Sequence, residues 1–311
     1  QRGYEWSATV VWSVAQPGCA TQREQKRMWF IRDSLFIGIL QASPLILAAM
    51  GFTLIYYLNG FINFAYGETI TYGAYLAALF NVTFGLGFYG SVVPAALLAG
   101  LLSVLTYLYL YRPAQRLGVK PTELIILSIG LSFMLRYGLV LFVGAENVFV
   151  NEPPIAYFTF VGIGATNLQL IALVLVLITA FNLYWVVYRT GFGETIRGLA
   201  NNEELAMVSG INPHKVSVKV WFLAGAVGGL SGIFTGVFAL ANPLMGWNLI
   251  LITIMVSIVA GVGSVKGAVV VSVVAGILTA AITLISKPLY SEVILLGAFI
   301  VVLWYRGGRK S

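Results

Sequence analysis

The fold class predicted by this sequence is all-α and polytopic, a membrane protein of about 8–9 transmembrane helices with a short helical cytoplasmic loop. Three observations carry that prediction. The 311 residues are 59% hydrophobic and only 9% charged, with a mean hydropathy of +0.91, whereas soluble chains are about a quarter charged. Apolar runs long enough to cross or enter a bilayer recur along the chain. Lys and Arg fall almost entirely on one alternate set of connections between those runs.

The runs are taken in chain order. Residues 1–33 read as an N-terminal extension, of which 1–27 are polar and aperiodic. The first methionine, Met28, stands directly before the first apolar run, so Met28 is expected to be the working start and 1–27 an upstream stretch. No signal-peptide cleavage pattern is evident, and the first span is expected to be retained. A transmembrane unit over 34–306 follows, with spans at 34–57, 64–83, 88–111, 123–144, 168–188, 216–239, 248–262, 267–286 and 290–305. The run 248–262 is short enough to be re-entrant or broken. Residues 307–311 form a tail. No short internal repeat is apparent.

Orientation follows from the cations. Arg112, Arg116 and Lys120 lie in one connection; Arg189, Arg197, Lys215 and Lys219 in another; Lys266 in a turn; Arg306, Arg309 and Lys310 in the tail. The opposite set of connections holds only Lys287. The cation-rich side and the C-terminus are therefore expected in the cytoplasm. Nine spans would then place Arg23, Lys26, Arg27 and Arg32 outside, against their preference. Either a span is missed or re-entrant, or the N-terminal stretch stands apart from the core. The net charge of +7 reflects this topology, and nucleic acid is not an expected partner.

Several chemistries are excluded. One cysteine, Cys19, forms no internal disulfide, and one histidine, His214, builds no metal site alone. Lys120 follows Val119 and Lys266 follows Val265, so neither lysine sits in a Gly-Lys-Ser/Thr phosphate loop. Gly261-Val-Gly263-Ser-Val-Lys-Gly267 lacks dinucleotide-loop spacing and lies between apolar runs, where a tight turn is expected. No catalytic constellation is evident from one His and one Cys, and the chain is expected to move something or hold something, without catalytic residues or its own cofactor.

Loop 189–215 predicts two short helices. The first covers about 193–200, with Ile196, Leu199 and Ala200 on one face. Asn202 is a good N-cap for the second, with Glu203 and Glu204 in its favourable first turn. Gly210 is a natural terminator and Pro213 blocks continuation.

Glu204-Leu-Ala206-Met-Val-Ser-Gly210 resembles the EAA-x-x-x-G pattern of bacterial ABC-importer permeases. Asn59-Gly-Phe-Ile-Asn63-Phe-Ala-Tyr66-Gly-Glu68 with Tyr72-Gly-Ala-Tyr75 is similar to the INFAHGE…GAY signature of branched-chain amino-acid permeases of the LivH type, with Tyr66 in place of the usual His. The stretches Leu199–Pro213 and Ala260–Ala268 resemble two further motifs of that family, and the matches span roughly 34–306. The resemblance implies a permease subunit importing neutral or branched-chain amino acids across a bacterial inner membrane. It implies as partners a second permease subunit in a heterodimer, two ATP-binding subunits that carry ATP and Mg, a solute-binding protein outside, and membrane lipid. Glu203, Glu204, Ala206, Gly210 and Asn212 would then couple to the ATP-binding subunit. Urea and amide permeases share the superfamily and stand as the alternative, with a self-contained secondary transporter as the more distant one.

Three polar residues and one glycine face remain. Glu68 borders an apolar run, either near the translocation path, as an interhelical anchor, or at the headgroup level. Asn63 is five residues away and need not share its helix face; a helix broken around Gly60 and Gly67 would expose backbone groups as transporter sites do. Arg136 lies some 13 residues into its run and needs a partner, with Glu146 or the second permease as candidates; Glu123 is about 20 Å away along the same helix. Gly228, Gly232 and Gly236 recur every four residues and predict close helix packing.

Overall fold

The computed structural model describes residues 30, 32–150, 156–160, 163–261, 263–286 and 288–308; the expectation for residues 1–27 lies outside them. Each of the nine apolar runs is helical, and the chain is a multi-pass membrane protein. Helices α1 (Arg32–Gln41) and α2 (Ser43–Asn59) meet at a 49° bend. Pro44, in the first turn of α2, lacks the N–H that would carry the ladder through the joint. Helix α2 ends at Gly60, whose φ of 69° is a left-handed cap that favours glycine. Helix α3 (Tyr66–Ala78) continues into a π turn (Leu79–Thr83). Helices α4 (Phe88–Thr106) and α5 (Arg112–Arg116) form one rod through a second π turn at Tyr107–Tyr111.

Helix α6 (Pro121–Val143) starts at a capping box, in which the Glu123 carboxylate accepts the Lys120 N–H. An antiparallel hairpin, β1 (Tyr157–Phe160) and β2 (Ile163–Thr166), interrupts the otherwise helical chain. Helices α7 (Asn167–Arg189), α8 (Gly191–Asn201), α9 (Glu203–Val208), α10 (Pro213–Ala239), α11 (Met245–Ala260), α12 (Val265–Ile285) and α13 (Pro288–Gly308) complete the fold. Among the described residues, five helices are long and apolar enough to cross a membrane, six if the bent α1–α2 pair is one span. The sequence predicted nine spans; the run at 290–305 is a shorter apolar helix, and the runs at 64–83 and 248–262 depart from that picture for one shared reason.

Helices α3 and α11 both begin inside the molecule. Helix α10 rises through the centre, packed on α2, α3 and α4. Helix α3 lies along it in parallel, with Tyr66 against Gly228, Ile70 against Gly232 and Ala74 against Gly236. Gly228 is about 22 Å along α10 from Pro213 by helix rise, so α3 starts deep in the apolar layer. Residues 60–65 lead from the end of α2 to that level and close into turns before α3, with Tyr66 N–H donating to the Asn63 carbonyl and Gly67 N–H to that of Phe64. Helix α11 starts beside α3, where a side chain on Gly246 would meet Gly67 and Thr71.

One end of the bundle collects the cations. Arg112, Arg116, Asn59, Leu199 and Asn212 line one cavity there, Lys219 stands over Phe192, and Lys266 sits 4.7 Å from the Tyr184 ring near the end of α7. The Val148–Ala241 bridge and a second cavity bordered by Pro44, Thr166 and Ala239 mark the other end. Arg112, Arg116, Lys219 and Lys266 thus share one end of the fold.

The glycine face of α10 is an internal contact. A Cβ on Gly232 would collide with the Ile70 carbonyl, and one on Gly228 with the Tyr66 ring. Gly232→Leu is expected to abolish accumulation of monodisperse protein in detergent extracts, because overpacking a backbone contact forces whole helices apart. Wild-type yield and elution on size-exclusion chromatography would contradict this packing.

Candidate functional site

The junction of α3, α6 and α11 holds a polar cluster in the middle of the apolar layer. On α6, Ser128, Ser132 and Arg136 recur every four residues and share one face. Ser128 lies about 10 Å and Arg136 about 22 Å from the start of that helix. This stripe meets the ascending segment and the first turn of α3. The Phe64 N–H donates to Ser128 Oγ at 3.1 Å. Ser132 Oγ donates to Glu68 Oε1 at 2.8 Å, and Arg136 donates to the same oxygen from Nε at 3.2 Å and Nη2 at 2.5 Å.

Glu68 is fully buried and Arg136 is 5% exposed. The second carboxylate oxygen, Glu68 Oε2, is buried with no hydrogen-bond partner. The guanidinium also lies over the rings of Trp247 at 4.8 Å and Phe133 at 5.6 Å, where the ring faces attract a cation. Glu68 occupies the first turn of α3, where the helix dipole favours a carboxylate.

The partner of Arg136 is therefore Glu68, in place of the candidates Glu146 and a second chain. Sequence distance concealed it, since 68 residues separate the two. The headgroup-level reading of Glu68 is also corrected, because its partner Ser132 stands about halfway along a helix long enough to cross the bilayer. Asn63 belongs to a separate contact, its side-chain oxygen accepting from Tyr111 Oη at 2.8 Å. The spacing of Ser128, Ser132 and Arg136 was a signal available in the sequence for this stripe. No sequence signal pointed to Trp247 or Tyr111.

The loop 189–215 forms a second group at the basic end. Thr190 caps α8, Asn202 caps α9 by accepting from Leu205 N at 2.9 Å, and Asn212 caps α10 by accepting from Lys215 N at 3.2 Å. Pro213 opens α10. Gly210 has φ +84° with open space around it, and the bonds Gly210 N to Met207 O and Ile211 N to Ala206 O close the end of α9. Ile196, Leu199 and Ala206 point inward and are buried, and Arg197 donates to the Val187 carbonyl at the end of α7. Ala206 and Asn212 thus hold the pair in place, while Glu203 and Glu204 are exposed. Three apolar side chains of α9 also stand uncovered: Leu205 at 65%, Met207 at 48% and Val208 at 87% exposure.

The comparisons with known proteins agree with one another. A family model described as branched-chain amino acid transport system / permease component matches residues 34–303. The probable branched-chain amino acid transport permease protein LivH of Methanocaldococcus jannaschii is 29% identical over 255 residues, covering 79% of each chain. The high-affinity branched-chain amino acid transport system permease protein LivH of Escherichia coli K12 is 24% identical, covering 89% of this chain and 93% of its own. BraD, the corresponding permease protein of Pseudomonas aeruginosa, is 24% identical, covering 88% and 93%. No solved structure matches.

Breaking the buried pair should be costly. Removing one partner of such a pair costs about 3–5 kcal/mol because a charge is left unpaired. Arg136→Met and Glu68→Gln should each sharply lower the unfolding temperature in detergent, while the double variant Glu68→Gln/Arg136→Met should lose less than the sum. Strict additivity in this cycle would show that the two side chains do not interact.

Proposed function

The chain belongs to the family of branched-chain amino acid transport system permease components, and we propose that it is the membrane-spanning subunit of an ATP-driven importer. In this reading it passes neutral or branched-chain amino acids delivered by an extracytoplasmic solute-binding protein. It works beside a second permease subunit and two ATP-binding subunits, which hold ATP and Mg. The membrane is the cytoplasmic membrane of a bacterium, with the basic end and the C-terminus inside. The substrate class rests on the names of the relatives, and the orientation on the clustering of the cations.

The observation that carries the coupling role is the exposed apolar surface of α9. Leu205, Met207 and Val208 stand on a six-residue helix that is capped at its start and closed by a glycine at its end. An apolar patch rimmed by carboxylates, on a rigid element outside the bilayer, fits a protein cleft. The chain has no phosphate loop, so the energy of hydrolysis must arrive through a contact of this kind. Helix α8 packs on α2, α7 and α10, so a displacement of the pair reaches the helices that frame the broken centre. There, the first turns of α3 and α11, Asn63, and the Glu68–Arg136 pair would border the path, as interrupted helices do in other transporters.

Gly210 tests the coupling directly. A residue with a Cβ adopts its left-handed conformation at a cost of roughly 1 kcal/mol or more, and the open space around it removes any steric term. Gly210→Val should still insert and assemble, yet lose binding-protein-stimulated ATP hydrolysis and uptake in the reconstituted complex, with Glu204→Lys weaker in the same direction. Full stimulated activity would exclude this loop as the coupling element.

Orientation is tested by single cysteines in a background lacking Cys19. Labels at Leu117 and Ala200 should react only from the cytoplasmic side and one at Ala156 only from outside. Labelling of position 156 from inside would reverse the topology.

A further inference from the structure

The cavity at the basic end has a volume of about 650 Å³ and lies between two separate segments of the chain. One wall is the α4–α6 turn, with Arg112 and Arg116; the other is the α8–α10 segment, with Glu203. Among the described residues the ion pairs are Arg32–Asp33 and Glu68–Arg136, so both arginines and Glu203 are unpaired. His214, also in the lining, stacks on Tyr107 and has a buried Nδ1 without a partner. Leu58, Leu124 and Met207 supply apolar wall between the charged groups.

These groups define a chemistry. Two unpaired guanidinium groups suit a carboxylate, which they can hold through paired charge-assisted hydrogen bonds. An unpaired carboxylate suits an ammonium. A simple anion such as phosphate would satisfy the arginines and be repelled by Glu203. A free α-amino acid with an aliphatic side chain presents all three matching features, and the volume lies in the range of small-molecule sites.

We propose that this cavity binds an aliphatic α-amino acid from the cytoplasmic side and slows the importer when its own product accumulates. The proposal rests on the orientation and substrate class given above. Its mechanism is linkage: a ligand bridging two walls favours the arrangement in which both walls reach it. The α9 wall belongs to the segment that must move for coupling, so an occupied cavity opposes that motion.

The test uses the purified four-subunit complex without solute-binding protein, with L-leucine as the probe in isothermal titration calorimetry. One leucine should bind per copy of this chain, equally in nanodiscs with and without phosphatidylethanolamine. Arg112→Gln/Arg116→Gln should weaken binding by about tenfold or more, the equivalent of one lost charge-assisted hydrogen bond. Val119→Phe, which fills the cavity without changing its charge, should also weaken it. In proteoliposomes loaded with ATP and leucine, the initial rate of uptake should fall several-fold for the wild type and stay unchanged for either variant, while vesicles without internal leucine transport equally well in all three. Absence of any uptake by the wild type would overturn the importer reading itself. Normal uptake with no leucine binding to the complex, with phosphate or the lipid headgroup bound in its place, or with equal inhibition of the variants, would overturn this inference alone.

Discussion

Inside a bilayer there is no water to satisfy a backbone that leaves its helix, so every such group must find a protein partner. Residues 60–65 meet this constraint through contacts with α6 and with the π turn between α4 and α5. Ser128 supplies an acceptor for Phe64 N, and the Asn63 side chain, which the ascent carries inward, accepts from Tyr111. The Glu68–Arg136 pair extends the same logic to charge. Neither group would be tolerable alone at that depth, and together they tie α3 to α6 at the level where α3 begins.

The glycines of α10 follow from the same need. A helix that starts in the middle of the layer must be gripped over a short length, so contact has to be close. Gly228, Gly232 and Gly236 allow α3 to approach α10 backbone to backbone, and Tyr66 uses the space to place its hydroxyl 3.1 Å from the Ala224 carbonyl. Helix α11 is placed likewise, with Gly246 N–H donating to Thr71 Oγ1 at 3.1 Å. Packing and polar satisfaction together hold the two helices at their first turns, which lie side by side.

At the basic end the constraint is rigidity. Helices α8 and α9 are too short to be stable alone, yet each has its own side-chain cap and a buried anchor, Ile196 in one and Ala206 in the other. The charges of this end lie in water or at the headgroups, so they can stay unpaired without the penalty that Glu68 and Arg136 would incur. This difference in dielectric explains why one end of the molecule carries free arginines and its centre carries a closed pair.

Much of the fold was legible in the sequence, because hydropathy and local capping act over short stretches of chain. The nine helical runs, the two-helix loop with Asn202 and Gly210 at its limits, and the collection of cations at one end all follow from near-neighbour chemistry. The place where α3 and α11 begin did not, since an apolar run has the same composition whether it crosses the layer or starts halfway through it. The partner of Arg136 was hidden for a related reason: spacing identifies residues on one helix face, and Glu68 approaches from another helix. Ser128, Ser132 and Arg136 could be aligned from their positions alone. That the stripe meets Glu68 and Trp247, and that the glycine face of α10 turns toward α3 within the same chain, were decided only by tertiary packing, which joins residues by contact in space regardless of their separation along the chain.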